Sequence, residues 1–332
     1  METTAGQALW YATRPDGKVA CLLCPHACLI AEGRHGVCGV RFNHGGNMAL
    51  PFYGRISSLA LDPIEKKPLY HFHPGSRILS AGFVGCSFRC GFCQNWHISQ
   101  GTNAETRFMS PEELVQRALS ERSFALAYTY SEPLIHAEYL LDAGRLARAA
   151  GLKNVLVSNG YINPEPAEEI LSVMDAANID LKAWDADFYR KETGGSLEDV
   201  KRFITQAAGR IHLEVTTLVI PGRNDDPRQI EGIARFLAGL NPAIPLHLSA
   251  YHPDFNYDVD PTPPQTVRKL AEEARRHLQF VYAGNLGGEH SDTACPHCGH
   301  VLVSRRGYAV SAAGISGGKC ASCGKAVPIV GA

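Results

Sequence analysis

Along the middle of the chain, short apolar runs rich in β-branched residues alternate with longer segments whose apolar positions recur at helical spacing. The runs at 77–84 (RILSAGFV), 124–130 (FALAYTY), 154–160 (NVLVSNG), 177–182 (ANIDLK), 211–222 (IHLEVTTLVIPG), 245–251 (PLHLSAY) and 279–285 (QFVYAGN) read as strands. Between them SPEELVQRALSE, PLIHAEYLLDAGRLARAAG, PEPAEEILSVM, DADFYRKE with LEDVKRFITQAAG, DPRQIEGIARFLAGL and PPQTVRKLAEEARRHL read as helical. Ser110, Pro111 and Glu113 give the first of these a capping box, and Gly151 closes the second. Apolar strands alternating with helices predict a parallel sheet covered by helices, wound by right-handed crossovers into a barrel. Six units and a final strand predict an α/β fold, a partial (β/α)6 TIM-like barrel rather than a closed eight-fold one. An open doubly wound sheet is the alternative, but no G-x-G-x-x-G follows the first strand. In either architecture ligands bind at the carboxyl ends of the strands.

The flanks differ in character. An Asn-His-Gly-Gly turn at 43–46 predicts a hairpin leading to the barrel. We divide the chain into an N-terminal segment with its lead-in hairpin (1–76), the barrel (77–288) and a C-terminal module (289–332). At 332 residues, with 45% hydrophobic and 20% charged content, the composition is that of an ordinary globular protein. A net charge of −1 with no long basic block argues against nucleic acid or an anionic membrane as the main partner. The first residues lack a basic-then-apolar leader pattern, and no run of about 18 apolar residues occurs. The expectation is a cytoplasmic protein.

The 11 cysteines fall into three groups with none left over. Close C-x2-C spacing in a chain of this kind argues for metal rather than disulfides. Cys21, Cys24, Cys28 and Cys38 suit a closed structural zinc site or an auxiliary iron–sulfur cluster, and spacing does not separate the two. His26 and His35 lie within that segment and read as turn histidines. Cys295, Cys298, Cys320 and Cys323 form two C-x2-C knuckles separated by 21 residues, each followed by glycine (Gly299, Gly324), the pattern of a zinc-ribbon-like module. Arg305 and Arg306 between them read as a short solvated basic pair. His71 and His73 share one face of an extended segment and read as non-ligands.

Cys86, Cys90 and Cys93 are different: C-x3-C-x2-C on a loop after the first strand, with Phe92 before the last cysteine. Three thiolates at that spacing can hold three irons of a cubane cluster and leave the fourth open to an exogenous ligand; a zinc site is the plainer alternative. Polar residues end the neighbouring strands. Ser131 and Glu132 follow the second, and Glu132 reads either as a partner for a ligand ammonium or as a helix N-terminal acid. Ser158 and Asn159 end the third and suit a carboxylate or ribose. Asp180 and Lys182 end the fourth as an ion pair or as ligand contacts, and His252 follows the sixth as a nucleoside contact or a turn residue.

Taken in order, CLLCPHAC, GVCGVR, SLALDPIEKKPLYHF, GCSFRCGFCQNW, YTYSEP, SNGYI, NIDLK, LVIPGRNDD and CPHCGH/CASCGK resemble the AmmeMemoRadiSam-system radical SAM enzymes over residues 18–325. The barrel portion is more distantly similar to pyruvate formate-lyase activating enzyme. The resemblance implies a [4Fe-4S] cluster on Cys86, Cys90 and Cys93, with S-adenosylmethionine (SAM) bound to the open iron. It implies that Tyr130, Ser131 and Glu132 replace a glycine-glycine-glutamate stretch that holds the SAM amino group. It further implies that Ser158 and Asp180, with a monovalent cation, line the methionine end, and that His252 lies near the adenosine. By the same resemblance a flavodoxin- or ferredoxin-type reductant supplies the electron. Memo-like and AMMECR-like proteins share the pathway, and a 5′-deoxyadenosyl radical abstracts hydrogen from an unidentified substrate. A glycyl-radical activating enzyme and a non-enzymatic metal-binding scaffold are the competing readings.

Overall fold

The computed structural model describes residues 6–287 and 291–332. Eight strands build the central sheet: β1 (Ser58–Pro63), β2 (Arg77–Gly82), β3 (Ala125–Thr129), β4 (Lys153–Ser158), β5 (Ala176–Asp180), β6 (His212–Val219), β7 (Leu246–Ala250) and β8 (Val281–Gly284). Their order in the sheet is their order in the chain, with β1 and β8 at the two edges. The ladders from β2 to β8 are parallel, whereas β1 runs antiparallel to β2 with Ser58 opposite Gly82. The seven expected strands are these seven parallel ones, each ending a few residues before the apolar run does. The edge strand β1 is new: SLALDP alternates weakly and was not among the expected strands.

Six helices cover the sheet: α1 (Pro111–Ser120), α2 (Ala137–Ala149), α3 (Pro164–Val173), α4 (Leu197–Ala207), α5 (Pro227–Leu240) and α6 (Pro264–Arg275). The capping box forms as expected, with the Ser110 N–H donating to Glu113 (2.8 Å) and the Glu113 N–H to Ser110 Oγ (3.2 Å). Each helix turns an apolar stripe onto strands that are buried on both faces, so β3 is buried at every position. DADFYRKE departs from a plain helix. It forms one α-turn, Ala186–Phe188, and then a π-helical turn, Tyr189–Thr193, ended by Gly194 in the left-handed region.

The bottom of the sheet is held by a charge. Glu214 on β6 is fully buried and accepts the N–H groups of His71 (2.7 Å) and Tyr70 (3.0 Å), with the His247 and His212 rings at 2.6 and 2.9 Å. Burial pushes its carboxyl up, but the two imidazoles outweigh that and hold it well below the usual range. The strap 64–73 is thereby fixed across the barrel's amino-terminal end. His71 meets Tyr282 Oη (2.6 Å) and His73 packs on Phe124, so each has a structural contact of its own.

The N-terminal segment carries a three-stranded antiparallel sheet (Tyr11–Thr13, Val19–Cys21, Leu29–Ile30) and the expected hairpin (Phe42–His44 with Asn47–Ala49). At the other end Thr293–Ala294, Val301–Arg306 and Ala309–Ser311 form a small antiparallel sheet, followed by the pair Ile315–Ser316 and Lys319–Cys320. The division expected at 288/289 lies outside the described residues. The solvated reading of Arg305 is corrected: it is 3% exposed and donates to Ser291 O, Thr293 Oγ1 and Tyr70 O, while Arg306 stays at the surface. The strap's backbone pairs with the C-terminus too, through His73 N–H to Val330 O and Val330 N–H to His71 O. Among the described residues, no helix is long and apolar enough to cross a membrane.

Candidate functional site

At the carboxyl ends of the strands lies a cavity of about 370 Å³, lined by Cys86, Cys90, Phe92, Cys93, Tyr130, Ser131, Glu132, Ser158, Asn159, Asp180 and Lys182 among others. The three cysteines sit on the loop after β2. That loop can turn there because Gly85 adopts φ +80 and lies against Cys38 O, where a Cβ would come to 2.5 Å. A short helical turn, Trp96–Ser99, closes the loop and brings Ser99 Oγ to 3.0 Å from Cys93 Sγ. Cys86 Sγ accepts the Phe88 N–H (3.2 Å), and Asn159 Nδ2 lies 3.7 Å from it. Burial pushes the Cys90 thiol up to about 12, against the pull of Lys182, and raises Cys86 well above its ordinary value with help from the Glu132 charge. Thiols this deep ionise only when a metal centre takes the charge. The sulfurs nevertheless have hydrogen-bond donors around them, which fits a thiolate-bound cluster.

Glu132 is the hub of the opposite wall. Its carboxylate is 1% exposed and accepts the Leu134 N–H (2.9 Å), Ser158 Oγ–H (2.6 Å) and Asn159 N–H (2.8 Å). Burial pushes it up to about 7, although all three hydrogen bonds favour the ionised form. It caps the 3-10 turn Pro133–His136, as the helix-terminus reading expects, and it also lines the cavity. Beside it Ser131 Oγ is buried with no hydrogen-bond partner. A buried orphan hydroxyl in a ligand-sized cavity is the kind of group that a bound molecule satisfies.

Tyr130 stands where the resembled family has glycine, and its backbone keeps the glycine-like conformation at φ +71. A non-glycine residue there costs about 1–2 kcal/mol. The side chain offsets this by donating to Asp62 on β1, while Lys67 Nζ lies 4.3 Å above its ring and 2.8 Å from Asp62. Lys182 Nζ pairs with Asp180 at 3.0 Å; burial lowers its pKa, but Asp180 and Cys90 outweigh that and hold it above the usual value. Phe92 is buried against Tyr257 and Phe188. His252 is exposed on the rim, 3.3 Å from Gln94, and is not part of the cavity wall among the described residues.

Sequence reasoning missed Lys66, Lys67 and Pro68, which bring the strap into the wall, and Ser99, Ser249 and Asn285. The only signal was the pair of lysines in IEKKP, next to the histidines that drew attention instead. Lys66, Pro68, Ser249 and Asn285 also border a second cavity of about 490 Å³, between β8 and the C-terminal module. Tyr70, His247, Tyr282, Arg305 and Tyr308 line that space.

The C-terminal cysteines come together tightly, with Cys295 and Cys323 sulfurs 3.8 Å apart and those of Cys298 and Cys320 3.7 Å apart. Gly299 and Gly324 both take positive φ, as the knuckles require.

The radical SAM superfamily profile matches residues 82–237. An uncharacterized protein of Methanocaldococcus jannaschii is 40% identical over 98% of this chain and 99% of its own length. Pyruvate formate-lyase 1-activating enzyme of Escherichia coli K12 is 24% identical, over 54% of this chain and 75% of that protein. The crystal structure of a radical SAM methyltransferase from Sphaerobacter thermophilus superimposes with a TM-score of 0.50 at 16% identity, covering 65% of this chain and 68% of that one.

Proposed function

Because residues 82–237 form a radical SAM superfamily domain and the chain is a SAM-dependent enzyme, we propose that Cys86, Cys90 and Cys93 hold a [4Fe-4S] cluster with one open iron. SAM then binds in the adjoining cavity, and the substrate loses a hydrogen atom there. The observation that carries this is the convergence of three cysteines, the Glu132 carboxylate and the unpartnered Ser131 hydroxyl on one cavity. A [4Fe-4S] cluster held by Cys86, Cys90 and Cys93 would supply, once reduced by one electron, the reductive cleavage of SAM to methionine and a 5′-deoxyadenosyl radical. The chain's own residues bind, orient and shield. Glu132 offers charge to the SAM ammonium, and Ser131 supplies a hydrogen bond. Asn159 steadies the Cys86 sulfur, Phe92 excludes water, and the Asp180–Lys182 pair sets the charge of the far wall. Ser158 orients Glu132 through its 2.6 Å hydrogen bond.

The finer reading is membership of the AmmeMemoRadiSam system, with Memo-like and AMMECR-like proteins as pathway partners and a flavodoxin- or ferredoxin-type protein as reductant. The ordered motifs at both ends of the chain support it. Zinc on Cys295, Cys298, Cys320 and Cys323 belongs to the same reading, supported by sulfurs that all lie within 4.8 Å of one another. So do the three-part division of the chain and a cytoplasmic location. Glycyl-radical activation of a partner protein is the second reading, favoured by the similarity to pyruvate formate-lyase 1-activating enzyme. Anaerobic incubation with SAM and dithionite tests the proposal. We expect 5′-deoxyadenosine and methionine from the wild type and neither from the Cys86, Cys90 and Cys93 triple alanine variant; SAM cleavage by that variant sinks it.

A further inference from the structure

We propose that Cys21, Cys24, Cys28 and Cys38 hold a second iron–sulfur cluster, packed directly on the loop that carries Cys86. The first ground is spacing. Among the described residues, the C-terminal four are the one group of three or more ligand side chains whose atoms all lie within 4.8 Å of one another. No three of the N-terminal sulfurs meet that limit, and neither does the Cys86–Cys90–Cys93 triplet. A single zinc ion draws four thiolates close together at about 2.3 Å from the metal, whereas a cubane spreads its thiolates over separate irons. Within one chain, the N-terminal tetrad therefore follows the wide pattern of the radical SAM triplet and not the tight pattern of the C-terminal knuckles.

The second ground is the surroundings of the sulfurs. Cys21, Cys24 and Cys38 are buried, and Cys28 Sγ accepts the Val37 N–H at 3.4 Å. Such a donor stabilises sulfur carrying negative charge. Arg41 brings a buried cation as well. It is 1% exposed, its Nη1 holds both Glu138 oxygens at 2.9 and 3.0 Å, and its charge acts on Cys21 and Cys38. Its Nε–H has no partner. A net-negative cluster among these thiolates would give this buried guanidinium a second counter-charge besides Glu138.

The third ground is position. His26 Nε2 lies 2.7 Å from Ser87 O, the Arg89 guanidinium donates to Val37 O, and Cys38 O abuts Gly85. The two cysteine sets thus share a backbone interface with no layer between them. The second cluster can accept one electron from an external one-electron reductant and pass it to the first, returning to its oxidised state with no atom transferred. The relay role and the comparison with the Cys86–Cys90–Cys93 triplet rest on the function proposed above; the metal content measured below is read independently of it.

Metal content decides the matter without SAM chemistry. Anaerobically isolated wild type should carry about eight irons and eight sulfides per chain, as two cubanes require. The Cys86, Cys90 and Cys93 triple alanine variant should keep half of each, with a dithionite-reduced [4Fe-4S] signal by electron paramagnetic resonance. Adding Cys24→Ala and Cys38→Ala should remove that remainder. Half the expected iron in the wild type together with a second zinc equivalent would overturn the proposal. So would a triple variant that is folded by circular dichroism yet free of iron. Either result leaves SAM cleavage by the wild type standing.

Discussion

Replacing Glu132 with Gln keeps the shape of the hub and removes its charge. The wild-type carboxylate already receives three donors, from Leu134, Ser158 and Asn159. Its remaining lone pair faces the cavity, where a ligand ammonium would make a charge-assisted hydrogen bond worth about 1.5–3 kcal/mol. SAM affinity should therefore fall roughly ten- to hundred-fold at pH 7.5. The carboxyl is pushed up to about 7, so it is mostly neutral at pH 6 and mostly ionised at pH 7.5. Deprotonation favours ammonium binding, so wild-type affinity should rise several-fold across that interval and the variant should lose this slope. Calorimetric titration of SAM into both reconstituted proteins, at both pH values and matched iron content, reads the effect. Equal affinities at pH 7.5 would refute the assignment and leave Glu132 as a helix cap alone.

Lys67→Met leaves the Asp62 carboxylate with the half-exposed Lys66 at 3.3 Å and the Tyr130 hydroxyl; breaking a buried pair from one side costs about 3–5 kcal/mol, and Lys66 should hold the loss to the lower end. Lys67 and Tyr130 outweigh the upward push of burial and hold the Asp62 carboxyl down to about 2. Its contribution is thus present above the ordinary aspartate range and lost as pH falls through that range, so the variant's deficit in chemical denaturation should be largest near neutrality and shrink in acid; an unchanged midpoint argues against the pair. Gly85→Ala places a Cβ 2.5 Å from Cys38 O at φ +80, so the N-terminal segment must shift, and both melting temperature and bound iron should drop; an unaffected variant would mean that the interface yields freely. Cys320→Ser should abolish zinc binding and speed hydrogen exchange from residue 291 onward and in the strap at 71–73, which pairs with Val330, while the barrel helices stay protected. Full protection of the strap would show that it stands without the module.

The parallel sheet was legible because its strands are buried on both faces and so are written as continuous apolar runs. β1 was not, since its burial is partial and its neighbour is found only once β2 is in place. The cysteine loop was legible from spacing alone, and Glu132 from its place after β3. What spacing cannot express is which charged side chains are buried by distant segments. Arg305 reads as solvated until Tyr70 and Thr293 are seen to enclose it, and Glu214 sits inconspicuously in a strand until His212, His247 and the strap converge on it. His252 shows the converse: a residue in the right position along the chain whose side chain leaves the wall for the rim.

A sheet whose first and last strands stay at opposite edges leaves room for two cavities that share part of their walls. One opens at the strand ends beside the cysteines, and the other passes between β8 and the C-terminal module, with Lys66, Pro68, Ser249 and Asn285 at the junction. The second cavity is framed on one side by the β7–β8 ladder, through His247, Ser249, Tyr282 and Gly284, and on the other by side chains such as Arg305 and Tyr308. Its bore can therefore be widened or narrowed by substitutions in the terminal module that leave every strand pairing intact.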